Sequence, residues 1–324
     1  MMIKWVIGAY LVKKSWVLVL VQCFGAALLY AQSPVKLVLI PEHPRLGEPV
    51  TVGMAAAGEQ EDVTGLFQAV LINTQGQRLT KASFFNLTVD KEGTSLKVAI
   101  LAVPCTARPG SAVIQVEHQG GPIGRIDLTI ENRTFVSEEI SLDQGNTDLR
   151  TIPDPQKTAE SSILWGIISR TGTEVYTLGP FTAPVSSTRR TSFFGDRRIF
   201  RYVDGSQASS IHAGIDYGVP RGTAVRSCAE GRVVLARSRI VTGNSVIIEH
   251  LPGVYSLYYH LDHIAVQEGT MVRTGTLLGE SGATGLATGP HLHWEIRVAG
   301  ENTDPDAFVS RPILDKAALL GNSN

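Results

Sequence analysis

Cysteine, net charge and membrane-length apolar runs are all scarce in this chain of 324 residues. There are three cysteines, Cys23, Cys105 and Cys228. Cys23 falls in the N-terminal apolar stretch, and the remaining two make neither a disulfide framework nor a thiolate zinc site. They are expected to be free, semi-buried thiols in separate domains. Lys and Arg number 29 against 30 Asp and Glu, for a net charge of -1. That balance leaves no basic stripe, so nucleic acid is not an expected partner. The longest apolar run, from Trp16 to Leu29, is shorter than the roughly 20 residues a spanning helix needs. Lys13 and Lys14 precede it and Ala31-Gln32-Ser33 follow it, the order of a secretory signal. Residues 1–32 are therefore expected to be a signal peptide, or an uncleaved membrane anchor, since Leu29 and Tyr30 make an imperfect cleavage site. The protein is expected to be exported to the periplasm or cell envelope, with membrane anchoring only through this segment.

What is present is ordinary globular material, 43% hydrophobic and 18% charged, long enough for two domains. Residues 33–131 read as short β-runs (KLVLI, PVTVGMAA, FQAVLINTQGQRL, SLKVAILAV, SAVIQVEH, RIDLTI) separated by Gly and Pro turns at Pro44, Gly47, Pro49, Gly76, Pro109 and Gly110. This spacing predicts a β-sandwich, and ARPGSAVIQV resembles the immunoglobulin-like modules of bacterial envelope proteins. Residues 132–190 turn polar and read as a linker with one short helix. In that helix Asp154 caps, Pro155 takes the first position and Ile163, Leu164, Ile167 and Ile168 form an apolar stripe. Residues 191–310 are β-rich and glycine-dense, predicting an antiparallel sheet with glycine-rich loops, and Pro252-Gly253 reads as the turn of a hairpin. Residues 311–324 read as a tail. The fold class is thus mainly all-β.

Chemistry concentrates in the third region. Six of eight histidines, His212, His250, His260, His263, His291 and His293, fall between positions 212 and 293. Catalytic zinc sites commonly take three protein ligands and keep a fourth position for water. HAGID offers His212 and Asp216, and HLH offers a third. Residues four apart on a straight strand lie about 13 Å from each other, so the chain must bend between His212 and Asp216, and Gly214 permits it. In TGPHLHWEIRV the period-2 alternation puts His291, His293 and Glu295 on one face and Leu292, Trp294 and Ile296 on the other.

In order along the chain, HAGIDYGVPRGTAV, EGRVV, YYHL and TGPHLHWE closely resemble the lysostaphin-type, or LytM-like, zinc metallopeptidases that cut peptidoglycan peptides. The likeness covers roughly residues 191–306. It implies a Zn2+ cofactor held by His212, Asp216 and His293, with His260 and His291 catalytic, and peptidoglycan peptides as substrate. Departures are confined to Cys228, where alanine is frequent, and Trp294, where phenylalanine is usual. Neither is a ligand. Some relatives have lost ligands and activate other wall hydrolases; a non-catalytic envelope protein is therefore the alternative, against which every chemically required position is intact. The likeness does not choose which bond is cut, nor which of His260 and His291 is the general base.

The other histidines are expected to play bland parts: His250 structural, and His263, His43 and His118 solvated. Glu295 either orients one of the key histidines or faces water. Strand alternation places Tyr258, not Tyr259, on the face of His260. Because all candidate ligands follow position 211, the chemistry is expected to survive in a chain beginning near Pro180.

Overall fold

A computed structural model of the chain describes residues 36–54, 67–88 and 95–320. The expected leader at 1–32, with Cys23, lies outside the described residues. Among the described residues no helix is long and apolar enough to cross a membrane. The fold is mainly β, as expected.

The N-terminal β-runs form two four-stranded antiparallel sheets. In one, Leu37–Ile40, Pro49–Met54, Ser95–Ala102 and Phe85–Thr88 lie side by side; in the other the order is Arg78–Ser83, Phe67–Asn73, Gly110–His118 and Gly121–Ile130. Alternating residues supply their common core, Val50, Val52, Ala99 and Leu101 from the first and Ala69, Leu71, Ile114 and Val116 from the second. From Val98 onward the run SLKVAILAV is apolar for a further reason. Its other face, Leu96, Val98, Ile100 and Ala102, joins Phe85 and Leu87 in a second core with Phe194, Val298 and Phe308 of the C-terminal region. A strand buried on both faces loses its polar alternation.

The C-terminal region is built on a ten-stranded sheet whose main path runs Arg190–Ser192, Ile215–Tyr217, Leu292–Val298, Val254–Ile264, Gly243–Leu251, Gly231–Arg239, Met271–Val272. The hairpin at Pro252-Gly253 forms as expected: Leu251 pairs with Val254, and Gly253 turns the chain at φ 78°. Cys105 and Cys228 are free and buried.

The segment expected to be a linker with one short helix is richer than that. Its helix Pro155–Ile168 is capped by Asp154, whose carboxylate accepts from the Gln156 N–H at 2.7 Å. Ile168 is buried and Leu164 and Ile167 pack beside it against Leu235, Ile247 and Leu257, but Ile163 stays 46% exposed. A second helix, Gln144–Thr151, and a strand, Ser137–Ser141, precede it. QGNTDLRT has one large apolar residue, Leu149, and so carries no helical period; it is held by the Asp143 cap and by burial of Asn146 and Thr147. Ser137–Ser141 pairs parallel with Arg197–Arg201, which pairs antiparallel with Gln207–Ile211. The expected tail also packs: Ile313, Leu314 and Leu319 are buried, the last in a short helix, Lys316–Leu319, against Gly53.

Candidate metal centre

His212 follows the strand Gln207–Ile211, and Asp216 lies at the centre of Ile215–Tyr217. The bend between them requires Gly214, because a Cβ there would stand 2.1 Å from the Trp294 carbonyl oxygen. Close backbone approach, not a positive φ, makes this position glycine. Ile215–Tyr217 pairs with Leu292–Val298 so that Asp216 faces His293. Asp216 Oδ1 lies 3.1 Å from His212 Nε2 and 2.7 Å from His293 Nδ1, and the two ring nitrogens are 3.0 Å apart.

The outer hydrogen bonds say which atoms these are. His212 Nδ1 donates to the Phe193 carbonyl at 2.8 Å, and His293 Nε2 donates to Glu295 at 2.9 Å. In the neutral rings both inner nitrogens are therefore lone pairs, and they meet a carboxylate oxygen with no proton between them. Three such acceptors in contact repel unless a cation sits among them. Their spacings approach the roughly 3.3 Å edge of a tetrahedron with bonds near 2 Å, so the residues present fit a metal ion. The electrostatics show the same demand for positive charge, which a proton on His293 meets when no metal is bound. Burial alone would lower the His293 pKa, but the carboxylates of Asp216 and Glu295 outweigh it and hold it at about 9. Burial opposes ionisation of Asp216, yet His293 and His212 keep its carboxyl well below the usual range.

His260 and His291 reach the same place by different backbone routes. A bulge interrupts the pairing of Val254–Ile264 with Gly243–Leu251 after Tyr258, and His260 adopts a left-handed φ of 59°. Its Nδ1 donates to the Thr284 carbonyl and His291 Nδ1 to the Gly289 carbonyl, both at 2.8 Å. The glycine-rich loop 282–290 thus orients both rings through its backbone and leaves both Nε2 atoms unprotonated. Burial, aided by the neighbouring histidines, pushes the His260 pKa down to about 3, and burial lowers that of His291. The two rings, 4.8 Å apart at their centroids, line a cavity of about 280 Å³ with His212, Asp216 and His293.

All five expected site residues therefore come together. The bulge reverses one expectation: Tyr259, not Tyr258, lies on the histidine face. Tyr259 stacks on His293 with an interplanar angle of 5°, while Tyr258 bonds Ser256 and the Cys228 N–H on the other side of the sheet. Glu295 is a buried orienting carboxylate, itself held by Arg297 at 2.8 Å. His250 is structural and fully buried, between the Glu230 carbonyl and Ser256. His263 and His43 are exposed, but His118 stacks on Phe67. Arg198, Glu138, Ile140 and Asn146 have no signal in the sequence pattern. Arg198 bonds Asp216 and Glu138, and Ile140 and Asn146 line the cavity.

Residues 210–305 match the family described as Peptidase family M23. This chain carries an M23 peptidase domain. The DD-carboxypeptidase/endopeptidase Mpg of Neisseria meningitidis serogroup B is 40% identical to it over 140 residues, 42% of this chain and 31% of Mpg. The peptidoglycan DD-endopeptidase ShyA of Vibrio cholerae serotype O1 is 40% identical over 117 residues, 36% of this chain and 27% of ShyA. The match thus spans about a third of the curated relatives' length. A crystal structure described as a putative peptidase M23 from Pseudomonas aeruginosa aligns over 84% of this chain and 96% of its own, with a TM-score of 0.55 and 24% identity. That likeness shows a shared fold extending beyond the M23 domain into the N-terminal sheets.

Proposed function

We propose that this protein is a zinc-dependent endopeptidase that hydrolyses peptide cross-links of bacterial peptidoglycan in the cell envelope, in cell-wall remodelling. His212, Asp216 and His293 are its metal ligands, His260 and His291 its catalytic residues, and residues 33–131 an immunoglobulin-like accessory module. The observation that carries the reading is the convergence of His212 Nε2, Asp216 Oδ1 and His293 Nδ1, with two further neutral imidazoles in the same cavity. The names of the Neisseria and Vibrio relatives support the substrate class. A non-catalytic envelope protein would not need the complete set.

When bound, zinc supplies Lewis acidity, polarising a carbonyl and acidifying water. The chain's own residues do the rest. With both Nδ1 atoms committed to backbone carbonyls, His260 and His291 each present an Nε2 lone pair as a base for the attacking water. Once protonated, the ring that took the proton can return it to the leaving amine, and the other can donate to the developing oxyanion only in its protonated form. Phe193 and Glu295 hold the ligand rings in the tautomers that turn lone pairs inward.

The test separates ligand from catalyst. His293→Ala should lose most of its zinc after dialysis. His291→Ala should keep near-stoichiometric zinc while turnover of defined cross-linked muropeptides, followed by mass spectrometry of the fragments, falls about 10²–10⁴-fold. Wild-type protein that holds zinc yet releases no fragments would favour the non-catalytic alternative.

A further inference from the structure

Each converging ligand atom is backed by its own outer partner. Phe193 stands behind His212 and Glu295 behind His293. Behind Asp216 stands Arg198, a residue from a different sheet. Arg198 donates from Nη2 to Asp216 Oδ2 at 2.5 Å and from Nε to Glu138 Oε1 at 2.6 Å. Its side chain is 15% exposed. Glu138 also accepts from the Ser192 hydroxyl at 2.8 Å. In the parallel pairing of Ser137–Ser141 with Arg197–Arg201, Glu138 lies directly opposite Arg198. Both residues precede the segment 210–305 that matches the M23 family.

The two oxygens of Asp216 are thus divided. Oδ1 meets the two histidine nitrogens, and Oδ2 meets the guanidinium. We propose that Arg198, clamped by Glu138, is a positioning residue that keeps Asp216 a one-oxygen metal ligand, so that the Ser137–Ser141 strand is a working part of the metal centre. The proposal rests on the metal-site reading above. Turning the carboxylate to offer both oxygens would break a charge-assisted hydrogen bond in a buried place. A one-oxygen carboxylate leaves the fourth position open to water and substrate. A lysine would not serve, because a single ammonium cannot bridge two carboxylates in the fixed fork of a guanidinium.

Zinc affinity of the full chain, measured by competition with a chromophoric chelator, tests this in wild type, R198Q, R198K, E138Q and the double variant R198Q/E138Q. R198Q should bind zinc about 10–100-fold more weakly, as when outer partners of metal ligands are lost. R198K should shift in the same direction and E138Q by less. The double variant should be no worse than R198Q, because Glu138 acts through Arg198. Melting of the zinc-free proteins separates a merely structural role, which would lower the midpoint and leave affinity unchanged. If R198Q does not fold, R198K carries the comparison. Wild-type zinc binding with unaltered R198K and R198Q affinities, or additive losses in the double variant, overturns this proposal alone. A wild type that takes up no zinc overturns the metal-site reading, and this proposal with it.

Discussion

His250 shows what burial does to a histidine that has no part in the chemistry. Its Nδ1 donates to the Glu230 carbonyl and its Nε2 lies 2.7 Å from the Ser256 hydroxyl, so both ring nitrogens are held by neutral groups. Burial pushes its pKa from 6.5 down to about 4. Below pH 6.5 the unfolded chain binds a proton that the folded chain refuses. The contribution of His250 is therefore complete above 6.5 and is lost as pH falls towards 4, on the order of 3 kcal/mol across that window. His250→Gln should flatten this part of the stability curve, read as urea midpoints at a series of pH values between 4 and 7. A slope identical to wild type would mean that His250 does not carry the dependence. The histidines of the centre differ in kind. Their Nδ1 or Nε2 bonds to Phe193, Thr284, Gly289 and Glu295 orient rings that line one cavity, whereas those of His250 lie inside the sheet.

At the scale of elements, two backbone irregularities assemble the site. The bulge at His260 turns that ring to the face of Tyr259 and His293, which regular alternation would deny it. The bend at Gly214 brings His212 back over Asp216, and there the Gly214 backbone approaches the Trp294 carbonyl too closely for any side chain. Gly214→Ala must therefore separate two paired strands. Overpacking of this kind costs at least about 1–3 kcal/mol, and here the displaced strand carries Asp216. The expected outcome is a lower urea midpoint together with weaker zinc retention on dialysis. If stability falls but zinc is held as in wild type, the bend and the metal centre are less tightly linked than the geometry implies. The glycine-rich loop 282–290 acts through its carbonyls, a role that residue types alone do not declare.

Over the whole molecule, the N-terminal sheets and the M23 domain share a core. Leu96, Val98 and Ile100 pack with residues of the C-terminal region, Thr51 donates to the Ile313 carbonyl at 2.7 Å, and Arg133 pairs with Asp304. The strand Ser137–Ser141 covers an edge of the sheet that leads into His212. A chain beginning at Pro180 would lose Glu138, Ile140 and Asn146 from the site's surroundings and expose the apolar face that meets Leu96, Val98 and Ile100. Contrary to the expectation from ligand positions alone, it should melt lower than the full chain and bind zinc more weakly, measured by calorimetry and chelator competition. Equal values on both counts would restore a separable catalytic domain. The five candidate residues were named through the likeness of their motifs to a known family, whereas the hairpin turn at Pro252-Gly253 and the helix capped by Asp154 were legible in the sequence because each depends on local spacing or on residue type. His-x-His alternation, an Asp-Pro helix start and a Pro-Gly turn act over a few residues. Which tyrosine stacks on His293, the burial of Glu295, the helix Gln144–Thr151 and the Arg198–Glu138 clamp were decided only by tertiary structure. A bulge, a docked polar helix and an ion pair between residues 60 apart depend on strands distant in sequence meeting in register, and no local pattern records that meeting.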